Sequence, residues 1–352
     1  MEVRKSMNIN FHYFAVKVLA VKAGFNTDDA QTIAKYSQFV DDFVLDGVRN
    51  YQYVPEFARY LATQSGEYWR FNNVRTGFDT LQSVDLSGNA RLQKSMLIPF
   101  HFITEKPLTN IDKSNRKNYR TRPVKMDTPS LLQDLLKNAR KEYLLLPAHS
   151  TLIKISILIH TFADSYAHQL FSGFNGWENT SYIIQCLDNN DNSDKTTSYK
   201  PQVSASLPHI GHANLLTAAD DSNITFSMLL KNSETESYPY SYRYTRSNTE
   251  EYLIAAREIL NYLLSIRGKD QIDDADWNTF SPLLKRGLLA TEKTNVEVLK
   301  SHWRNIFPDI TFYYVKDELY YIESGSQRQN EDFFYYNVFA DEIRRQVDSS
   351  IT

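Results

Sequence analysis

Apolar side chains recur at intervals of three and four residues through most of the chain, the spacing that places them on one face of an α-helix. Start and stop signals such as Thr128–Pro129 and Gly24 delimit several of these stretches. The pattern predicts helices over residues 11–23, 27–45, 55–63, 128–143, 150–170, 248–268, 273–289, 295–306 and 331–347. Residues 84–102 are expected to be partly extended, and residues 311–322 fit either two strands or a helix. We therefore expect a mainly α fold, a multi-helix bundle.

The histidines and aspartates that are candidates for binding a metal ion all lie in the first two thirds of the chain. We expect residues 1–230 to form a helical metal-binding core. Residues 231–352 would form a helical C-terminal portion that packs on this core, giving one compact unit.

The composition is that of an ordinary globular protein: of 352 residues, 42% are hydrophobic and 23% charged. The net charge of -3 gives no general attraction to nucleic acid or to anionic membranes. The single cysteine, Cys186, excludes an internal disulfide and a four-cysteine zinc site. The glycine motifs of dinucleotide-binding folds, P-loops and α/β-hydrolases are absent from the sequence.

The N-terminal residues show no apolar core followed by a cleavage site, so no secretory signal is predicted. The longest apolar run, residues 152–159, contains Lys154 and is too short to span a bilayer. We expect no stable membrane span and, by default, a cytoplasmic location, with export by a signal-free route left open.

One predicted helix carries the strongest chemical signal. His160, Asp164 and His168 follow one another at intervals of four residues and therefore lie on nearly one face. The helix is apolar around most of its circumference, which indicates burial. Buried imidazoles and a buried carboxylate need partners. A metal ion would satisfy all three, and a hydrogen-bonded polar core is the alternative.

The same analysis of helical faces separates two neighbouring carboxylates. Asp41 falls on the inward stripe of its helix, whereas Asp42 aligns with the polar face. His12 also faces inward on the first helix. Three more histidines lie in apolar or tight segments, His101 in IPFHFI and the pair His209 and His212 in PHIGHA. His149 and His302 are expected to have structural or surface roles.

The candidate ligands lie in the segments NINFHYFAVKVLAVKAGFNTDDAQTIAKYSQFVDD, PFHF, HTFADSYAHQLFSGF and PHIGHA. These segments resemble an uncharacterised prokaryotic family, domain of unknown function 6765. The order of the histidines and aspartates more distantly resembles the zinc-dependent phospholipase C and P1/S1 nuclease superfamily. That resemblance implies a mainly α fold in which clustered metal ions are bound by separate helices.

Carried over by position, the resemblance implies up to three ions, most simply zinc, with manganese or iron as alternatives. The first ion would be bound by Asp41, His101, His160 and Asp164, the second by His168 with His209, His212 or both, and the third by His12 with Asp164. Two features depart from the superfamily. No carboxylate stands four residues after His209 or His212, and there is no N-terminal tryptophan.

The resemblance further implies hydrolysis of a phosphoester bond in a phospholipid, nucleotide or nucleic acid, with Asp164 and Asp41 as the catalytic carboxylates. A basic loop at residues 113–125 would either bind such a substrate or simply be solvated. The neighbouring Phe174 and Trp177 would line the mouth of the site or merely pack. The competing hypothesis is a non-catalytic helical protein with a structural metal or a polar core, acting through protein contacts. An HD-type phosphohydrolase is disfavoured because the chain has no adjacent His-Asp pair.

Overall fold

The computed structural model describes residues 9–78, 88–105, 113–201, 207–237, 242–290, 295–315 and 331–351. The long helices are α1 (Val16–Ala23), α2 (Thr27–Asp42), α3 (Leu131–Leu145), α4 (His149–Ala167), α5 (Asn248–Ile266), α6 (Asp274–Leu288), α7 (Val296–Ile306) and α8 (Glu331–Ile351). The strands are β1 (Val48–Tyr51), β2 (Ala62–Ser65), β3 (Tyr68–Asn72), β4 (Ser181–Asp188), β5 (Ile224–Leu230) and β6 (Tyr242–Ser247).

Short helical segments connect these elements. A π-helical turn, Asn10–Ala15, leads directly into α1. Ala90–Leu92, the π-helical Gln93–Leu97 and Ile98–Phe100 follow one another without a break. The remaining segments are 3-10 helices at Glu56–Leu61, Lys113–Tyr119, Trp177–Asn179, Thr196–Tyr199 and Ala213–Leu215.

The strands in the described part of the chain form two antiparallel sheets, ordered β1-β3-β2 and β4-β5-β6. The prediction of a mainly α bundle was therefore wrong, since the fold combines helices with sheets. The strands of the first sheet are short and largely exposed, so they show no apolar alternation. The central strand of the second sheet, β5, reads ITFSMLL and is largely buried along its length, so it lacks the strict apolar–polar alternation that identifies a half-buried strand.

Two ambiguous segments also differ from expectation. Residues 90–100 are helical and not extended, while residues 84–87 lie outside the described part of the chain. Residues 311–315 adopt neither helix nor strand, and residues 316–322 lie outside the described part.

Helix α4 lies at the centre of the helical core. It packs against α2, α3, α5 and α8, and its side chains are buried from Leu152 to Ala167. This burial follows from the apolar character of the helix around most of its circumference. The buried ammonium group of Lys154 is compensated by the carboxylates of Glu142 and Glu342, each 2.8 Å away. Any polar side chain on the inner part of α4 is therefore enclosed by protein.

A second apolar cluster lies on the sheet β4-β5-β6 and includes Phe102, Phe171 and Leu215. The boundary predicted after residue 230 falls between β5 and β6, which pair along their lengths. Among the described residues, no helix is both long and apolar enough to cross a membrane.

Candidate metal centre

Polar side chains from five parts of the chain converge beside α4, near the second apolar cluster. They come from the π-helical turn, the end of α2, the residue after Ile98–Phe100, α4 with the residue that follows it, and the loop before β5. The converging residues are His12, Asp41, His101, His160, Asp164, His168, His212 and Asp220. Seven of these eight were candidate ligands on the sequence; Asp220 was not.

The first group is a compact triangle of two ring nitrogens and one carboxylate oxygen. His101 Nδ1 lies 3.0 Å from Asp164 Oδ2, His160 Nε2 lies 3.2 Å from the same oxygen, and the two ring nitrogens are 3.3 Å apart. Zinc–ligand bonds of 2.0–2.1 Å place two ligands of a tetrahedral ion about 3.3 Å apart. The triangle therefore matches one face of a zinc coordination tetrahedron.

His12 and Asp41 flank this triangle. His12 Nε2 lies 3.2 Å from Asp164 Oδ1, and the rings of His12 and His160 stack with centroids 4.0 Å apart. Asp41 Oδ1 lies 3.5 Å from His160 Nε2 and 3.9 Å from His101 Nδ1. His12, Asp41 and His160 also form a group with metal-ligand spacing, so His160 is shared between two arrangements.

The second group contains His168, His212 and Asp220. His168 Nε2 lies 2.9 Å from Asp220 Oδ1, and His212 Nε2 lies 3.4 Å from Asp220 Oδ2. Asp164 joins the two groups, because its Oδ2, part of the first triangle, is also 3.5 Å from His168 Nδ1. The phenyl ring of Phe102, which belongs to the second apolar cluster, stacks on His168 with the ring centroids 4.6 Å apart.

Four of the imidazoles are oriented by backbone carbonyl groups. A carbonyl oxygen only accepts hydrogen bonds, so the ring nitrogen facing it must carry the proton. The pairs are His101 Nε2 with Thr76 O (2.8 Å), His160 Nδ1 with Ser37 O (2.9 Å), His168 Nδ1 with His101 O (2.9 Å) and His212 Nδ1 with Leu216 O (2.8 Å). Where the ring is neutral, its opposite nitrogen presents a lone pair toward the carboxylates, the arrangement typical of metal-ligating histidines.

Burial and neighbouring charges have opposing effects on the pKa values of His160, Asp164 and His168. Burial, with His12 close by, lowers the pKa of His160 to about 3, so this ring is neutral at pH 7. Burial also opposes charge on His168, but Asp164 and Asp220 outweigh it and raise the pKa of His168 to about 9. Burial alone would raise the pKa of Asp164, yet His168 and His160 hold it well below its usual value. The carboxylate is therefore ionised and suited to bind a cation.

Buried polar atoms of the centre that have no hydrogen-bond partner within the described chain include His12 Nδ1, Asp164 Oδ1 and Asp220 Oδ2. Such atoms carry a large free-energy cost unless a ligand satisfies them. A small cavity adjoins them, bounded by His12, Asp164 and Asp220 and otherwise by Phe11, Ala163, Ala167 and Tyr252. The donor set of imidazole nitrogens and carboxylate oxygens fits zinc, and the cavity provides space beside it.

The structure distinguishes His212 from His209. His209 is exposed, and its Nδ1 lies 3.1 Å from Asn214 Oδ1, away from both groups. Asp220 was missed because a carboxylate was sought four residues after each histidine, the helical spacing. Residues 213–220 instead form a 3-10 turn followed by further turns, in which Leu216 has the unusual φ of 51°. The only feature of the sequence that pointed to Asp220 as a ligand was the pair of aspartates at 220–221, at the end of this segment.

Three further polar residues lie outside the centre. Asp42 accepts hydrogen bonds from Tyr314 and Gln38. His149 Nε2 lies 2.9 Å from Asp332 at the exposed start of α4, and the half-buried His302 donates to the carbonyl of Arg286.

The basic loop is partly used in internal contacts. Arg116 pairs with both carboxylate oxygens of the buried Glu178, at 2.6 and 2.9 Å. Arg120 donates to the carbonyl groups of Glu178 and Lys231, and burial lowers its pKa to about 10. Phe174 is buried against Tyr119. The exposed basic residues described in this loop are Lys117, Arg122 and Lys125, and the Lys113 side chain lies outside the described part.

Comparisons with known proteins give one match. No curated protein and no solved structure matches the chain. A family model described as a family of unknown function (DUF6765) matches residues 7–349, nearly the whole chain. The chain therefore belongs to the DUF6765 family.

Proposed function

We propose that the protein binds a cluster of divalent metal ions, most simply zinc, and uses it to hydrolyse phosphoester bonds. The observation that carries the proposal is the set of carbonyl-oriented imidazoles whose second nitrogens converge on buried carboxylates. Lone pairs and negative charges face one another at 3.0–3.2 Å, an arrangement that is unfavourable without protons or cations among them.

The residues divide between two ion positions linked by Asp164. His101, His160 and Asp164 would bind the first, with Asp41 beside it, and His168, His212 and Asp220 would bind the second. His12 would contribute to either the first position or a third. Divalent ions in such a centre acidify water and neutralise charge on a phosphoryl group. The distant resemblance to the phospholipase C and P1/S1 nuclease superfamily supports this choice of reaction.

The chain itself would contribute orientation and exclusion of solvent. Asp164 would fix the distance between the two positions, and the apolar walls formed by Phe11 and Tyr252 would keep bulk water from the reacting group. Asp220 and His12 border the same cavity and would contact a water or phosphoryl oxygen bound there. A phospholipid, a nucleotide and a nucleic acid all supply the required phosphoester.

Near-complete burial favours a second candidate, a structural metal centre. The side chains of His101, His160, Asp164 and His168 are 0–2% exposed. A closed structural site keeps no exchangeable water, whereas a catalytic site keeps an open position. Cobalt substitution distinguishes them, because phosphate added to the cobalt protein changes the visible spectrum only if an open position exists.

The decisive experiment is metal content per chain, measured by elemental mass spectrometry on untagged protein purified without chelator. We expect two or three equivalents, and hydrolysis of a phosphodiester or phospholipid by the metal-loaded protein. Asp164→Asn should lose metal and activity together, whereas Asp42→Asn, a matched change at the residue next to Asp41 but on the polar face, should lose neither. A folded protein that contains no metal and cannot be reloaded would refute the proposal.

A further inference from the structure

The segment after β3 contacts the supports of two ligands, and we define it as the 74–77 segment (Val74, Arg75, Thr76 and Gly77). All four residues are buried. The carbonyl of Thr76 accepts the hydrogen bond from His101 Nε2 at 2.8 Å. The hydroxyl of Thr76 donates to the carbonyl of Val40, also at 2.8 Å, in the peptide that leads into Asp41. Thr76 therefore touches the backbone beside one ligand and the ring of another.

Gly77 brings the same segment against Asp41 itself. A Cβ atom at position 77 would lie 2.0 Å from the carbonyl oxygen of Asp41, far inside van der Waals contact. The amide of Gly77 also donates to the carbonyl of Phe43 at 2.9 Å. The 74–77 segment thus packs directly on the last turn of α2, and a shift of the segment would move Asp41 and His101 relative to each other.

Helix α8 fixes the position of the 74–77 segment. The hydroxyl oxygens of Tyr336 and Thr76 are 2.7 Å apart. Because the Thr76 proton is directed at Val40, the Tyr336 hydroxyl must donate to Thr76 Oγ1. The next residue, Asn337, accepts from the amide of Val74 at 2.7 Å and donates to Phe333 O at 2.9 Å. Two adjacent side chains of α8 therefore hold the 74–77 segment, Asn337 at Val74 and Tyr336 at Thr76.

We propose that Tyr336 is a positioning residue for the first ion position: its hydroxyl acts through Thr76 to fix His101 against Asp41 and Asp164. The inference rests on the proposed metal centre and adds to it a role for the C-terminal helix. Tyr336 does not contact the ion. Its effect is that of an outer hydrogen bond, of the kind whose loss lowers metal affinity about 10- to 100-fold.

The test compares Tyr336→Phe with Tyr262→Phe. Tyr262 is equally buried and its hydroxyl donates to the carbonyl of Leu136 at 2.9 Å, but it lies on α5 outside this path. Both variants should lose a similar amount of thermal stability. In zinc competition titrations, Tyr336→Phe should weaken one equivalent about tenfold and shift the visible bands of the cobalt protein. Tyr262→Phe should do neither.

Variants of Thr76 provide a second, independent test of the same hydrogen-bond path. Thr76→Val removes the relay and should weaken the same equivalent, while Thr76→Ser retains the hydroxyl and should restore the affinity. Tyr336→Phe added to Thr76→Val should cause no further loss, because the two groups act in series. If Tyr336→Phe does not fold, the comparison of Thr76→Val with Thr76→Ser decides the question.

The outcomes separate the two proposals. Wild-type protein that binds metal while Tyr336→Phe and Thr76→Val retain full affinity would overturn the positioning role alone. Wild-type protein that binds no metal would overturn the metal centre and the positioning role with it.

Discussion

His168 Nε2 lies 2.9 Å from Asp220 Oδ1, although 52 residues separate the two side chains along the sequence. The other oxygen of Asp220 is 3.4 Å from His212 Nε2, so one carboxylate faces two imidazoles. His168 and Asp220 are almost fully buried. This relationship supplies the second group with the carboxylate that was not found at helical spacing after His209 or His212.

Asp220→Asn should therefore remove one metal equivalent. An amide is a weaker ligand than a carboxylate, and its NH₂ group would face the two imidazoles. Asp221→Asn is the matched control, since Asp221 instead accepts a hydrogen bond from Tyr199. Elemental analysis at a fixed free zinc concentration should show the loss for position 220 only. Equal metal content in the two variants would remove Asp220 from the site.

His212 and His209 make a second matched pair. His212→Ala should weaken the second ion position about 10- to 100-fold, because it removes a lone pair that faces Asp220. His209→Ala should leave metal affinity unchanged, since its ring is exposed and bonded to Asn214. Zinc competition titration of both variants measures the difference. A larger loss at position 209 would contradict the assignment.

Asp41 and Asp42 test the first ion position. Asp41→Asn should weaken the first equivalent and reduce any phosphoesterase activity at least tenfold, since its carboxylate lies 3.5 Å from His160 Nε2. Asp42→Asn should change neither quantity, because that carboxylate bonds to Tyr314 and Gln38. Titration with zinc and an assay on a phosphodiester provide the two measurements. Metal loss from the position 42 variant would mean that the wrong carboxylate was chosen.

Regular helices made part of the site predictable. Asp41 could be distinguished from Asp42 because α2 keeps a constant angle per residue, and the same regularity placed His160, Asp164 and His168 together on or just after α4. Burial of α4 followed from its apolar circumference. These inferences needed only local geometry, which the sequence encodes directly.

Irregular backbone and long-range pairing made the rest unpredictable. The choice between His209 and His212 depends on Gly211 and Leu216, whose φ angles of 51° turn the chain in a way that no periodicity reveals. The first sheet was missed because its exposed strands have no apolar face. The contact between Tyr336 and Thr76 joins residues 260 positions apart, so only the folded structure brings it to light.

The ammonium group of Lys17 has a shifted pKa that is independent of the metal centre. Its ammonium group is buried in α1, where Nζ donates to Gln31 Oε1 and lies 5.8 Å from the centre of the Phe312 ring. Burial lowers the pKa of Lys17 from 10.5 to about 8, although Asp28 favours the charged form. The folded protein therefore releases this proton at a lower pH than the unfolded chain does.

The sign of the effect on stability follows from this difference. Below pH 8 both states hold the proton, and the cost of burying the charge is present in full. Between about pH 8 and pH 10.5 the unfolded chain holds more protons, so the free energy of unfolding rises with pH, by about 1–3 kcal/mol after allowance for solvent screening. Lys17→Met removes the titrating group and should lack this rise. The rise is measured by denaturant unfolding of both proteins at pH 7, 8, 9 and 10, as the difference between their free energies of unfolding. The ionisation of tyrosines, which both proteins contain, cancels in this difference. Parallel curves for the two proteins would show that Lys17 titrates normally and that its ammonium group is solvated.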